Sequence, residues 1–114
     1  MGVQPRMTMV TLRIVRVLLE DPTAKRYGLE ICKAAGLPSG SVYPLLMRLE
    51  QAGWLTSDWE DVDPTTAGRP RRRLYQLTSE GTDAGGRALH AAQRSLTPDW
   101  RGTPGFSPSG GTST

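Results

Sequence analysis

One cysteine, one histidine and one phenylalanine are all that this chain of 114 residues holds of three informative residue types. A lone Cys32 rules out an internal disulfide and gives no sign of an oxidising compartment. In an amphipathic segment it reads as a small core residue rather than a redox sensor. His90 has neither a Cys partner nor a second His, so no metal site is expected. No apolar run approaches the ~20 residues needed to cross a bilayer. The N-terminus lacks the charged-then-apolar order and cleavage site of a secretory signal, so a cytoplasmic protein is expected. The carboxylates form no acid–base pair and no Gly-rich loop follows a strand, which excludes an enzyme and leaves no cofactor to expect.

What is present centres on Leu37 to Trp59, LPSGSVYPLLMRLEQAGWLTSDW. The breakers Pro38, Ser39 and Gly40 lead into an amphipathic helix expected over 39–52. There Val42, Leu45, Leu46 and Leu49 recur at i, i+3, i+4 and i+7. The opposite face carries Ser41, Tyr43, Pro44, Met47, Arg48 and Gln51. Ser39 reads as the N-cap. With that cap Pro44 costs the helix one backbone bond, whereas a start at Ser41 makes it harmless. Before this helix, Tyr27 to Ala35 reads as a shorter one, with Leu29, Ile31, Cys32 and Ala35 inward and Gly36 closing it. Two short helices joined by a tight Gly-containing turn form a helix-turn-helix.

Thr8 to Glu20 is apolar with helical spacing, in two adjacent stripes. Val10, Ile14, Val17 and Leu18 form one, and Leu12, Val15 and Leu19 the other. A helix so apolar is buried on more than one side, with a partner subunit a candidate to cover the second stripe. After Gly53 a strand is expected over 54–60, then a turn over 61–68 and a returning strand over 69–78 with Tyr75 and Leu77 inward. A hairpin directly after a recognition helix is a wing. A last helix is expected over 79–96, capped by Thr78 or Ser79. Gly81, Gly85 and Gly86 weaken it by about 1 kcal/mol each relative to Ala. Its apolar positions are mostly small, so Leu89 and Leu96 join Leu12, Val15 and Leu19 as candidate dimer contacts. The fold class is therefore mainly α with a small β-hairpin: a winged helix-turn-helix of three helices, a two-stranded wing and a short C-terminal helix. Its parts are a flexible arm over 1–7, the DNA-binding domain over 8–78, the C-terminal helix over 79–96, and a disordered Pro/Gly/Ser/Thr-rich tail over 97–114.

The net charge of +3 is compatible with nucleic acid without proving it. Its distribution says more. Arg69, Arg71, Arg72 and Arg73 crowd into the wing, and alternation along a strand means that about two of them face DNA. Ser39, Gly40, Ser41, Tyr43 and Pro44 gather at a helix N-terminus, where free N–H groups favour phosphate. Arg48 on the polar face is in reach of a phosphate or a guanine edge. Lys25, Arg26 and Tyr27 are candidates for a backbone clamp. A protein-interaction module with the same face is the competing class, and the basic wing argues against it.

Two strings carry a family resemblance. Ser39 to Gly53 reads Ser-x-x-x-Tyr-Pro-x-Leu-x-x-Leu-Glu-x-x-Gly, and Tyr75 to Gly81 reads Tyr-x-Leu-Thr-x-x-Gly. With YGLEICKAAG before them, the chain resembles PadR-type winged-helix regulators over roughly Met9 to Leu89. The resemblance implies a homodimer on a near-palindromic double-stranded operator, acting most often as a repressor. It also implies a small-molecule effector, which the sequence does not identify. The C-terminal helix departs from the family pattern by being short and Gly-rich.

Overall fold

The computed structural model describes residues 5–96, leaving aside the side chains of 95 and 96. The expected tail, the first four residues of the arm and the contact assigned to the Leu96 side chain lie outside what is described.

Helix α1 (Met9–Leu19) opens on Thr8, whose hydroxyl accepts from the Thr11 N–H at 3.2 Å. Helix α2 (Gly28–Ala35) ends at Gly36, which takes the left-handed φ of +68°. The Arg13 guanidinium of α1 donates to the Ala35 carbonyl at 2.7 Å, satisfying one orphan acceptor at that end. Helix α3 (Ser39–Gln51) follows after three residues. Its N-cap is Pro38 rather than the expected Ser39, so the hydroxyls of Ser39 and Ser41 are not used for capping. Because the helix starts this early, Pro44 does cost it a bond, and the Gly40 carbonyl loses its i+4 donor.

Strands β2 (Leu55–Trp59) and β3 (Arg73–Leu77) form the wing, shorter than the sequence suggests. Arg69 to Arg72 stay outside the ladder, and a one-turn helix α4 (Pro64–Ala67), capped by Asp63, occupies the expected turn. A third strand that the sequence did not announce, β1 (Arg26–Tyr27), pairs antiparallel with β3, giving the order β1-β3-β2. Tyr27, expected to open the second helix, is thus a sheet residue together with Arg26. The fold is mainly helical with a small three-stranded antiparallel sheet, a winged helix.

The core joins Ile14, Val15 and Leu18 of α1, Ile31 and Cys32 of α2, Val42, Leu46 and Leu49 of α3, and Trp54, Leu55, Tyr75 and Leu77 of the sheet. Full burial of each large aliphatic chain is worth about 1.5–3 kcal/mol. Leu29, expected inward, is 56% exposed, because the inward face of α2 is completed by Ile31, Cys32 and Ala35.

Helix α5 (Ser79–Leu96) has the expected bounds. Thr78 caps it, accepting from the Gly81 N–H at 2.9 Å while donating to the Gly53 carbonyl at 2.7 Å. Its glycines have a packing reason. A Cβ on Gly81 would fall 2.0 Å from the Trp54 carbonyl oxygen, and one on Gly85 would fall 3.0 Å from Val15 Cγ1. The Val15 part of the second α1 stripe is therefore covered by the chain's own α5. Among the described residues no helix is long and apolar enough to cross a membrane.

Candidate nucleic-acid interface

Helix α3 buries Val42, Leu46 and Leu49, and this alone turns Tyr43, Met47 and Arg48 outward. Tyr43 is 39% exposed, and its ring rests on Gly28. A Cβ on Gly28 would meet the ring's Cε1 at 2.5 Å. Tyr43 is therefore both a packing residue against the start of α2 and a partly open surface. At the first turn the Pro38 carbonyl takes the N–H groups of Ser41 (3.0 Å) and Val42 (3.2 Å), so the Ser39 and Gly40 N–H groups have no helical acceptor.

Between the start of α2, the outer edge of α3 and the returning arm of the wing lies a cleft of about 450 Å³. Tyr27, Lys33, Tyr43, Arg71, Arg72 and Arg73 all line it. Three segments separated in sequence thus place four cations, two phenol rings and the Glu30 carboxylate around one opening. Gly40, Ser41, Pro44 and Arg48 instead border a separate cavity of about 350 Å³, together with Arg6 of the N-terminal arm. Ser39 and Lys25 are exposed and border neither of these two cavities. Arg26 is half-buried, and its Nε is enclosed with no hydrogen-bond partner.

The four wing arginines are not equivalent. Arg69 grips Glu60 with both prongs, Nη1 to Oε1 at 2.6 Å and Nη2 to Oε2 at 2.9 Å. Arg73 donates from Nε to the Ser57 hydroxyl at 2.8 Å and sits 3.7 Å from Glu50 of α3. Its guanidinium also lies 5.3 Å from the Trp59 ring centroid. Arg71 and Arg72 have no carboxylate within ion-pair distance among the described residues. Arg71 donates to the Val62 carbonyl at 2.8 Å, and Arg72 lies 5.0 Å from the centroid of Tyr27. Two of the four cations thus remain without an ion-pair partner at the cleft, while Arg69 is half-buried and paired with Glu60.

Glu60, which the sequence shows beside Asp61 and Asp63 just before the arginines but to which it assigns no role, is the centre of this arrangement. It is only 7% exposed. Besides Arg69 it accepts from the Tyr27 hydroxyl at 2.7 Å and the Arg72 N–H at 3.2 Å. The Arg69 and Tyr27 hydrogen bonds pull its carboxyl down to about 2 from the ordinary 4.5. In return Glu60 raises the Tyr27 phenol and the Arg69 guanidinium above their ordinary values. The signal that could have pointed to Glu60 is an acidic residue ending one hairpin strand, with arginines on the opposite arm. Lys33 was also missed, although Tyr27, Glu30 and Lys33 recur at helical i, i+3 spacing.

A family model described as Transcriptional regulator PadR-like family matches residues 16–88. Among solved structures the chain is similar to a PadR family transcription regulator from hypervirulent Clostridium difficile R20291. That match has 27% identity and a TM-score of 0.57, covering 82% of this chain and 88% of the other. It is also similar to a padr family transcriptional regulator from Eggerthella lenta DSM 2243, at 27% identity and a TM-score of 0.59, with 83% of each chain covered. A transcriptional regulator homologue from Pyrococcus horikoshii OT3 shares the fold, at 22% identity and a TM-score of 0.61 over 80% of this chain and 86% of that one. No curated protein matches the chain.

Proposed function

Because the chain belongs to the PadR-like family of transcriptional regulators, we propose that it binds double-stranded DNA sequence-specifically, as a homodimer, and represses transcription by occupying its operator. Helix α3 enters the major groove, where base edges differ enough to be told apart. Tyr43, Met47 and Arg48 lie on the reading face, and Ser39, Gly40 and Ser41 approach a phosphate with hydroxyls and free N–H groups. Arg71 and Arg72 take the adjacent backbone. The observation that carries this reading is the cleft, which gathers those two cations, Lys33, Tyr27 and Tyr43 beside the open face of α3.

The dimer forms across α1 and α5. Met9, 57% exposed, borders a small apolar depression of about 120 Å³ with Leu12, Leu89 and Ala92. A second copy related by a two-fold axis buries this patch and presents two copies of α3 to the halves of a near-palindrome.

The test is fluorescence anisotropy of labelled duplex from upstream of the protein's own gene, against a scrambled duplex, at two salt concentrations. Preferential binding that weakens with salt, at two chains per duplex, is the expected result. No binding at low salt by folded protein overturns the proposal and turns the same face toward a polypeptide partner.

A further inference from the structure

An enclosed carboxylate in the most basic part of a chain that binds a polyanion works against the electrostatics, since Glu60 cancels one of four clustered arginines. Its geometry explains its presence. Two of its partners, Tyr27 and Arg72, line the cleft, and the third, Arg69, lies beside it in the wing. Oε2 accepts from the Tyr27 hydroxyl at 2.7 Å and from Arg69 Nη2 at 2.9 Å. Oε1 accepts from Arg69 Nη1 at 2.6 Å and from the Arg72 N–H at 3.2 Å. Its own N–H donates to the Arg72 carbonyl at 2.7 Å. One residue thus fastens the end of β2, both arms of the wing and the junction of β1 with α2. The Tyr27 ring it holds is the surface against which the Arg72 guanidinium lies, 5.0 Å from the centroid.

We propose that Glu60 is a positioning residue for DNA binding: it holds Arg69 in a two-pronged ion pair and, through Tyr27 and the Arg72 backbone, fixes Arg72 at the cleft. This inference rests on the DNA-binding reading above and deepens it. The charge that Glu60 subtracts is exchanged for a wing whose cations are held in place before the duplex arrives. Arg69 acts through Glu60 and touches no phosphate. A pre-ordered contact surrenders less side-chain freedom on binding than a mobile one.

The sign of one substitution separates positioning from charge. If charge alone mattered, Glu60→Gln would tighten duplex binding and steepen the logarithmic salt slope by ~1, because Arg69 would be released to a phosphate. Positioning predicts the reverse: binding of operator and scrambled duplex both weaken, on the order of tenfold, with no steeper slope. Tyr27→Phe changes no charge and removes only the hydroxyl that Glu60 holds. It is expected to weaken both duplexes by a smaller factor and leave the slope alone. Alkaline difference absorbance, with Tyr27→Phe as the reference for assigning the phenol, should show Tyr27 titrating nearer its ordinary value in Glu60→Gln than in the wild type.

The full chain is used throughout, with circular dichroism to confirm folding. Glu60→Gln binding as tightly as wild type or tighter overturns the inference, as does an unmoved Tyr27 titration. If Glu60→Gln does not fold, Tyr27→Phe decides, and unchanged affinity there overturns it. A wild type that binds no duplex removes the DNA-binding reading along with this one. Tight binding by both wild type and Glu60→Gln removes only the positioning role.

Discussion

In α3, burying Val42, Leu46 and Leu49 on one side leaves Tyr43, Met47 and Arg48 on the other, so a single helix decides which side chains face out. In the wing, no local rule decides. Arg69 and Arg73 engage carboxylates carried by Glu60 and Glu50, while Arg71 and Arg72 keep their charge at the cleft. The helix exposes residues by periodicity, and the wing does so by pairing across a hairpin and onto a neighbouring helix. A helix face therefore survives most single changes on its outer side, whereas the wing's charge distribution depends on individual partners.

The sharpest way to break the comparison is at the buried side of α3. Leu46→Ala empties a site with no solvent exposure and is expected to lower unfolding free energy by about 2–5 kcal/mol in urea titration. A loss below half a kilocalorie would mean that the apolar stripe does not orient the helix. Next comes the wing's free pair. Arg71→Ala with Arg72→Ala should weaken operator and random duplex alike and flatten the salt slope by ~1–2 units. An unaltered slope would remove both from the phosphate contacts.

Tyr43→Ala sharpens the helix side. Operator affinity should fall about tenfold more than random-duplex affinity if the ring takes part in base discrimination. Equal losses would reduce it to a prop on Gly28.

The smallest effect is a pH dependence. Glu60 is held at about 2 against an ordinary 4.5, so its share of stability is complete above the ordinary value. That share drains as pH falls through the folded one. Thermal melts from about pH 5 to pH 2 should therefore slope less steeply for Glu60→Gln than for wild type. Parallel curves would place the acid sensitivity elsewhere.

How much of this could be read from the sequence follows the same division. The bounds of α5 follow from a capping residue and the Pro-rich stretch after it, the apolar face of α3 from spacing along one helix, and both agree with the structure. Strand β1 could not be read, because two residues carry no pattern and Arg26–Tyr27 is a strand only where β3 offers an open edge. Four clustered arginines were visible, but not which of them is neutralised, since Glu60 reaches Arg69 across nine positions and a turn. Gly81 and Gly85 read as weak helix formers. Their purpose is contact with Trp54 and Val15, two residues remote in sequence. Ser39 has a capping side chain, yet Pro38 occupies the cap position.

The seat of Gly81 on Trp54 has a mechanical consequence. Thr78 donates from its hydroxyl to the Gly53 carbonyl and from its N–H to the Trp54 carbonyl while accepting from the Gly81 N–H, so α5 is fastened at the point where α3 gives way to β2. The Trp54 N–H in turn donates to the Leu49 carbonyl of α3 at 2.9 Å. The end of α3, the start of β2 and the start of α5 therefore meet on the backbone of Trp54, so α5 could not shift at Gly81 without moving that backbone.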